Sequence, residues 1–248
     1  MSLTQKLHTI FRLACAMCYI GHGTFGIITK PIWCNYFGVF GIGEEMAYQL
    51  MPVVGIADIA MGLILIVHPM RFAAAWLVFW GLFTASLRPL SGEPFAQLIE
   101  RAGNFGAPLL LLMLSVTSKS GFAWLFEVLK PKESLTEKEL GTSISSMQLF
   151  GALLLAGHGW LNAVYKDQLP VGIFEIAGAI IILVKPVKNL VLVLFAWKVI
   201  SEMFYPAWVV PEWVERGGSY AMLLALYICL GFKEVRSGDL NLLKNRIH

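Results

Sequence analysis

Charge is what this chain has little of. Only 14% of its residues are Asp, Glu, Lys or Arg, against about 25% in an ordinary soluble domain. With 57% hydrophobic residues and a mean hydropathy of +0.69, the composition is that of a membrane protein. A net charge of +3 is too small to imply a nucleic-acid partner. The sequence holds no nucleotide-binding loop, no nucleophile elbow and no HExxH zinc helix. The first apolar run starts near Leu7 and is expected to stay in the protein as a span rather than to be removed as a signal peptide.

What is present is a series of apolar segments, at about 8–28, 48–68, 72–90, 103–118, 147–164, 170–185, 188–206 and 217–232. A helix needs about 20 residues to cross the hydrocarbon core. The segments predict an all-α polytopic membrane protein with eight transmembrane helices. They also repeat. His22 and Lys30 fall on His158 and Lys166 at an offset of 136. An offset of 117 pairs Gly55, Asp58, Pro69, Arg71, Trp80 and Pro89 with Gly172, Glu175, Pro186, Lys188, Trp197 and Pro206. An offset of 115 sets Glu100, Arg101 and Gly103 on Glu215, Arg216 and Gly218. Apolar bias matches Leu with Ile; it does not order His, acid, Pro, Trp and Glu-Arg alike. The pattern predicts two tandem four-helix bundles: residues 1–118, a cytoplasmic linker 119–145, residues 146–232 and a cytoplasmic tail 233–248. The first copy carries a 19-residue insert near 31–50.

Lys and Arg gather on one side of the predicted membrane, with only Lys30, Arg88, Arg101, Lys166 and Arg216 on the other. That bias puts both termini in the cytoplasm, in a bacterial inner membrane, and an even number of spans per copy gives the copies the same orientation. In the linker, "GFAWLFEVLK" reads as an interfacial amphipathic segment. "SLTEKEL" reads as a helix start capped by Ser134 with Glu137. The insert, with Trp33, Tyr36, Phe37 and Phe40, is too interrupted to span; it suggests a re-entrant or interfacial segment over an outer pocket.

Intramembrane charges are costly and face the bundle interior. His22 lies about 12 Å below Lys30, Asp58 about 9 Å below Pro52, and Glu202 and Lys198 about 6 and 12 Å below Pro206 at 1.5 Å per residue. His22, Asp58, His158, Glu175, Lys198 and Glu202 thus share one outer slab, roofed by Glu100-Arg101 and Glu215-Arg216. Several roles fit. The His–acid pairs tie helices together beside close-packing glycines, or relay protons and orient a polar headgroup, or two imidazoles ligate haem or a metal between His22 and His158. The Glu-Arg pairs form a charge network, or an arginine fork takes an anionic group. Lys198 and Glu202, at i,i+4, have Gly81 and Ala85 as counterparts, so the copies have diverged. Cys15, Cys18 and His22 share a helix face, but Gly151 and Leu154 replace the cysteines in the second copy; buried apolar packing accounts for them.

"GHGTFGIITKPIW", "VGIADIAMG" and "RPLSGEPFAQLIERAGNFGAPLLLL" resemble the DoxX-like membrane proteins, over most of residues 12–114. The second copy is degenerate: Tyr205-Pro206 replaces Arg88-Pro89 and Ser219 replaces Asn104. The resemblance implies a compact four-helix unit with a polar intramembrane site near His22, Asp58, Arg88, Glu100, Arg101 and Asn104. Relatives include the membrane subunit of a thiosulfate:quinone oxidoreductase, proteins of methylamine-dehydrogenase maturation, and eukaryotic cargo receptors and receptor-assembly chaperones. The leading expectation is a redox-linked protein, a quinone-linked oxidoreductase subunit, that binds a quinone-like or lipidic molecule in an outer-leaflet pocket. There His22 and His158 with Asp58 and Glu175 act on protons, and Arg88, Glu100, Arg101, Asn104, Lys198, Glu202 and Trp33 hold the substrate. The alternatives are a non-enzymatic chaperone, cargo receptor or subunit with a soluble or membrane partner, and a small-solute transporter.

Overall fold

The computed structural model describes residues 1–204 and 209–245. Among them the chain is all-helical, with no strand beyond two isolated bridges. The helices are α1 (Leu3–Ile27), α2 (Trp33–Gly38), α3 (Glu44–Val67), α4 (Arg71–Leu90), α5 (Ala96–Glu100), α6 (Ala102–Met113), α7 (Glu137–Tyr165), α8 (Leu169–Val184), α9 (Lys188–Ser201), α10 (Val209–Glu215) and α11 (Gly217–Asn245). By length and composition α1, α3, α4 and α7 are able to cross a membrane; α6, α8 and the Gly217–Phe232 part of α11 are apolar but shorter. Val53, Ile56 and Leu63 of α3 and Ile173, Ile180 and Leu183 of α8 point outward, a surface suited to lipid rather than to water.

Contacts come in matched pairs. α1 lies along α3 and α7 along α8; α4 packs on α6 and α9 on α11. Glycines set the first pairing: a Cβ on Gly23 would stand 2.6 Å from the Gly55 carbonyl oxygen, and one on Gly159 2.8 Å from that of Gly172. The halves also interlock. Short α10 crosses α1, and short α5 crosses α7. A Cβ on Gly21 would meet the Glu215 Cα at 2.6 Å, and one on Gly157 the Glu100 Cα at 2.9 Å. Each histidine-bearing helix is therefore clasped by the acid-bearing turn of the other half.

Several boundaries differ from the sequence reading. The span expected at 103–118 ends at Met113, because the polar run after it turns back and Ser115 bridges Pro131. The cap before α7 is Thr136 with Glu139, not Ser134 with Glu137. Two Ser/Thr-x-x-Glu frames overlap there, and the second closes both capping hydrogen bonds. The stretch read as a tail from 233 continues α11 to Asn245. Tyr205 and Pro206 lie outside the described residues, as do the side chains of Lys233, Arg236, Lys244 and Arg246.

Candidate functional site

A cavity of about 160 Å³ opens beside His22; an apolar cavity of about 150 Å³ accepts a benzene ring. His22 comes from the middle of α1, and its Nδ1 lies 2.7 Å from Oδ2 of Asp58 on α3. Trp80 of α4 donates its indole N–H to the same oxygen at 3.4 Å. The contact with Asp58 occupies Nδ1 and leaves Nε2 for whatever enters the cavity. Trp33 packs against the imidazole with the rings tilted by 33° and their centroids 4.7 Å apart. The insert thus forms the cavity wall: Trp33, Tyr36, Phe37 and Phe40 all line it.

Arg88 and Arg101 also line the cavity. Arg88 reaches Glu93 at 3.2 Å, and its guanidinium lies 5.3 Å from the centroid of the Tyr36 ring. Tyr36 donates its hydroxyl to Glu93 at 2.5 Å. Arg101, at the α5–α6 junction, uses Nη1 for the Gln97 carbonyl and side chain at 2.9 and 2.8 Å and for Glu100 at 3.1 Å. Among the described residues its Nε and Nη2 hold no hydrogen bond. Asn104 takes the Cys18 thiol at 3.6 Å. Cys18 lines the cavity, while Cys15 is wholly buried in the apolar core.

The second cluster has the same plan and different contents. His158 Nδ1 lies 2.7 Å from Glu175 Oε1. Trp197 donates to that oxygen at 3.0 Å, and Asn162 donates to Oε2 at 2.8 Å. Lys198 and Glu202 fill the interior as an ion pair of 2.5 Å with no solvent exposure. Arg216 bridges Glu100 at 2.9 Å and Glu202 at 3.9 Å. Side-chain exposure separates the two histidines: 19% for His22, 4% for His158. Glu100, His158 and Glu202 bring ligand atoms within 4.8 Å of one another. Both carboxylates already face cations, however, so the group carries no spare negative charge to hold a metal ion. His22 lies in the cavity and His158 in this buried group.

Of the residues singled out in the sequence, His22, Trp33, Arg88, Arg101 and Asn104 line the cavity, with Asp58 directly behind His22. His158, Glu175, Lys198, Glu202 and Glu100 belong to the buried cluster. The sequence reading missed Glu93 and Asn162. Asn162 had a signal, standing four residues after His158 on one helix face. Comparison with protein families, with characterised proteins and with solved structures returns no match.

Proposed function

We propose that the protein is a polytopic membrane protein of two tandem, same-orientation four-helix units. It binds one quinone-like or lipidic ring molecule in the cavity beside His22, and the resemblance to DoxX-like proteins belongs to the same reading. The shorter helices count as spans, accommodated by local thinning of the bilayer, and both termini face the cytoplasm. One observation carries the reading: a ring-sized cavity walled by Trp33 and Trp80 with a His–Asp pair at its side. His22 takes or gives a proton at Nε2 while Asp58 fixes the tautomer and balances the charge; Trp33 and Phe40 hold the ring. His158–Glu175 is the structural counterpart, closed by Lys198 and Glu202.

Purification in mild detergent, solvent extraction and mass spectrometry test this, together with tryptophan quenching by decyl-benzoquinone. The expected result is a ring-bearing amphiphile in the extract and saturable quenching that Trp33→Ala and His22→Ala weaken. An empty extract with no saturable quenching would reject it.

A further inference from the structure

The two halves surround unlike contents with like groups. In the second half the space beside His158 is occupied by Glu202, whose carboxylate comes within 4.8 Å of the ligand atoms of His158 and Glu100 and lies 3.9 Å from Arg216. At the equivalent positions of the first half stand Gly81 and Ala85, where the second has Lys198 and Glu202. Gly81 lines the cavity, and around it are His22, Glu215 and Arg101, the counterparts of His158, Glu100 and Arg216. Arg101 is 6% exposed, with Nε buried and without a hydrogen-bond partner. A guanidinium held this way favours an oxygen acid, which accepts a charge-assisted hydrogen bond.

We propose that Glu202 marks, in its own half, the place a ligand's acidic oxygen takes in the other. The cavity binds a one-ring amphiphile bearing a phenolic or carboxylic oxygen, seated beside Gly81 between Arg101 and His22. The proposal rests on the ring-binding reading above and narrows it to acidic headgroups. A neutral ring of the same size fills the volume but brings the Arg101 guanidinium no anionic oxygen.

The test is a fluorescence titration of the purified protein with 4-decyloxybenzoic acid, 4-decyloxyphenol and methyl 4-decyloxybenzoate, which share one tail. The acid is expected to bind at least about tenfold more tightly than the ester, because a carboxylate meets the guanidinium with a charge that the neutral ester carbonyl lacks. Arg101→Gln should bring acid and ester to within about twofold, the difference left once the guanidinium is gone. Equal affinity for acid and ester in the wild-type protein overturns the proposal whatever the variant does, and leaves ring binding standing. Failure of every probe to bind sinks the ring-binding reading itself.

Discussion

Lys198→Met is the sharpest perturbation of the buried network. Lys198 and Glu202 are both without solvent exposure and 2.5 Å apart. Removing the ammonium leaves Glu202 in the protein interior with Arg216 at 3.9 Å and the His158 imidazole nearby as its remaining partners among the described residues. Breaking a buried ion pair by deleting one partner costs about 3–5 kcal/mol. For a chain of this size each kcal/mol moves Tm by about 2–4 °C, so Lys198→Met should unfold about 6–20 °C lower. The double variant Lys198→Met/Glu202→Leu removes both charges and leaves Arg216 on Glu100 at 2.9 Å. Apolar replacement of a whole buried pair is often neutral, so the double variant should return to within about 4 °C of wild type. Lys132→Met supplies the contrast. Lys132 and Glu139 are 2.7 Å apart but 28% and 39% exposed, and an exposed pair contributes about 1 kcal/mol or less. Thermal unfolding in detergent micelles followed by circular dichroism reads all three. Equal shifts for Lys198→Met and Lys132→Met would refute the argument, because burial would then make no difference.

Two further outcomes test other parts of the fold. Gly21→Ala and Gly157→Ala each push a methyl into the backbone of the other half and should cost about 1–3 kcal/mol of stability. Gly141→Ala, with nothing within 4 Å, should stabilise by up to about 1 kcal/mol, and a Gly21→Ala as mild as that would contradict the close crossing. At the linker, Ser118 donates its hydroxyl and backbone N–H to Glu127, and Arg71 stands 3.0 Å from the other carboxylate oxygen. These hydrogen bonds and the guanidinium hold the Glu127 carboxyl below its ordinary 4.5. A depressed folded value means that the contribution is complete above pH 4.5 and is lost as pH falls through the lower folded value. Arg71 lies 5.0 Å from the centroid of the Trp124 ring, so the emission difference between wild type and Trp124→Phe reports the transition. Ser118→Ala should move it to higher pH, and an unmoved transition would remove Glu127 as its source.

The parts of the fold that were legible in the sequence are those that depend on spacing along one element or on chemistry repeated at a fixed offset. Lys198 and Glu202 at i,i+4 do pair, and His22–Asp58 and His158–Glu175 do hydrogen-bond. Helix ends were less legible, because apolar content does not mark where hydrogen bonding stops; Leu114 is as apolar as Leu112, yet α6 ends between them. The clasp of α10 on α1 and of α5 on α7 was not legible at all. It depends on backbone approach between residues far apart in sequence, such as Gly21 and Glu215, and a glycine does not record which partner it admits. Cavity and filled core were equally hidden, since they differ in side-chain volume, Gly81 at the cavity against Lys198 and Glu202 in the filled core.

That difference explains why an insert and a pair of small residues occur together in the first half. A large side chain at position 81 would enter the cavity that Gly81, Arg101 and His22 line together. Without such a side chain the cavity needs a wall, and Trp33 and Tyr36 of the insert supply it, tied in place by the contact with His22 and by the hydrogen bond to Glu93. In the second half Lys198 and Glu202 fill the space internally, and Asn162 adds a further hydrogen bond to Glu175 where the first half has Gly26. The interlock makes the two solutions depend on each other. Glu215 from the second half faces the cavity of the first, and Glu100 from the first is held by Arg216 of the second. A charge drawn to Arg101 by a ligand would compete with Glu100, and through Glu100 and Arg216 would bear on Glu202 and Lys198. The buried pair thus stands at the far end of a continuous chain of ion pairs that begins at Arg101 beside the cavity.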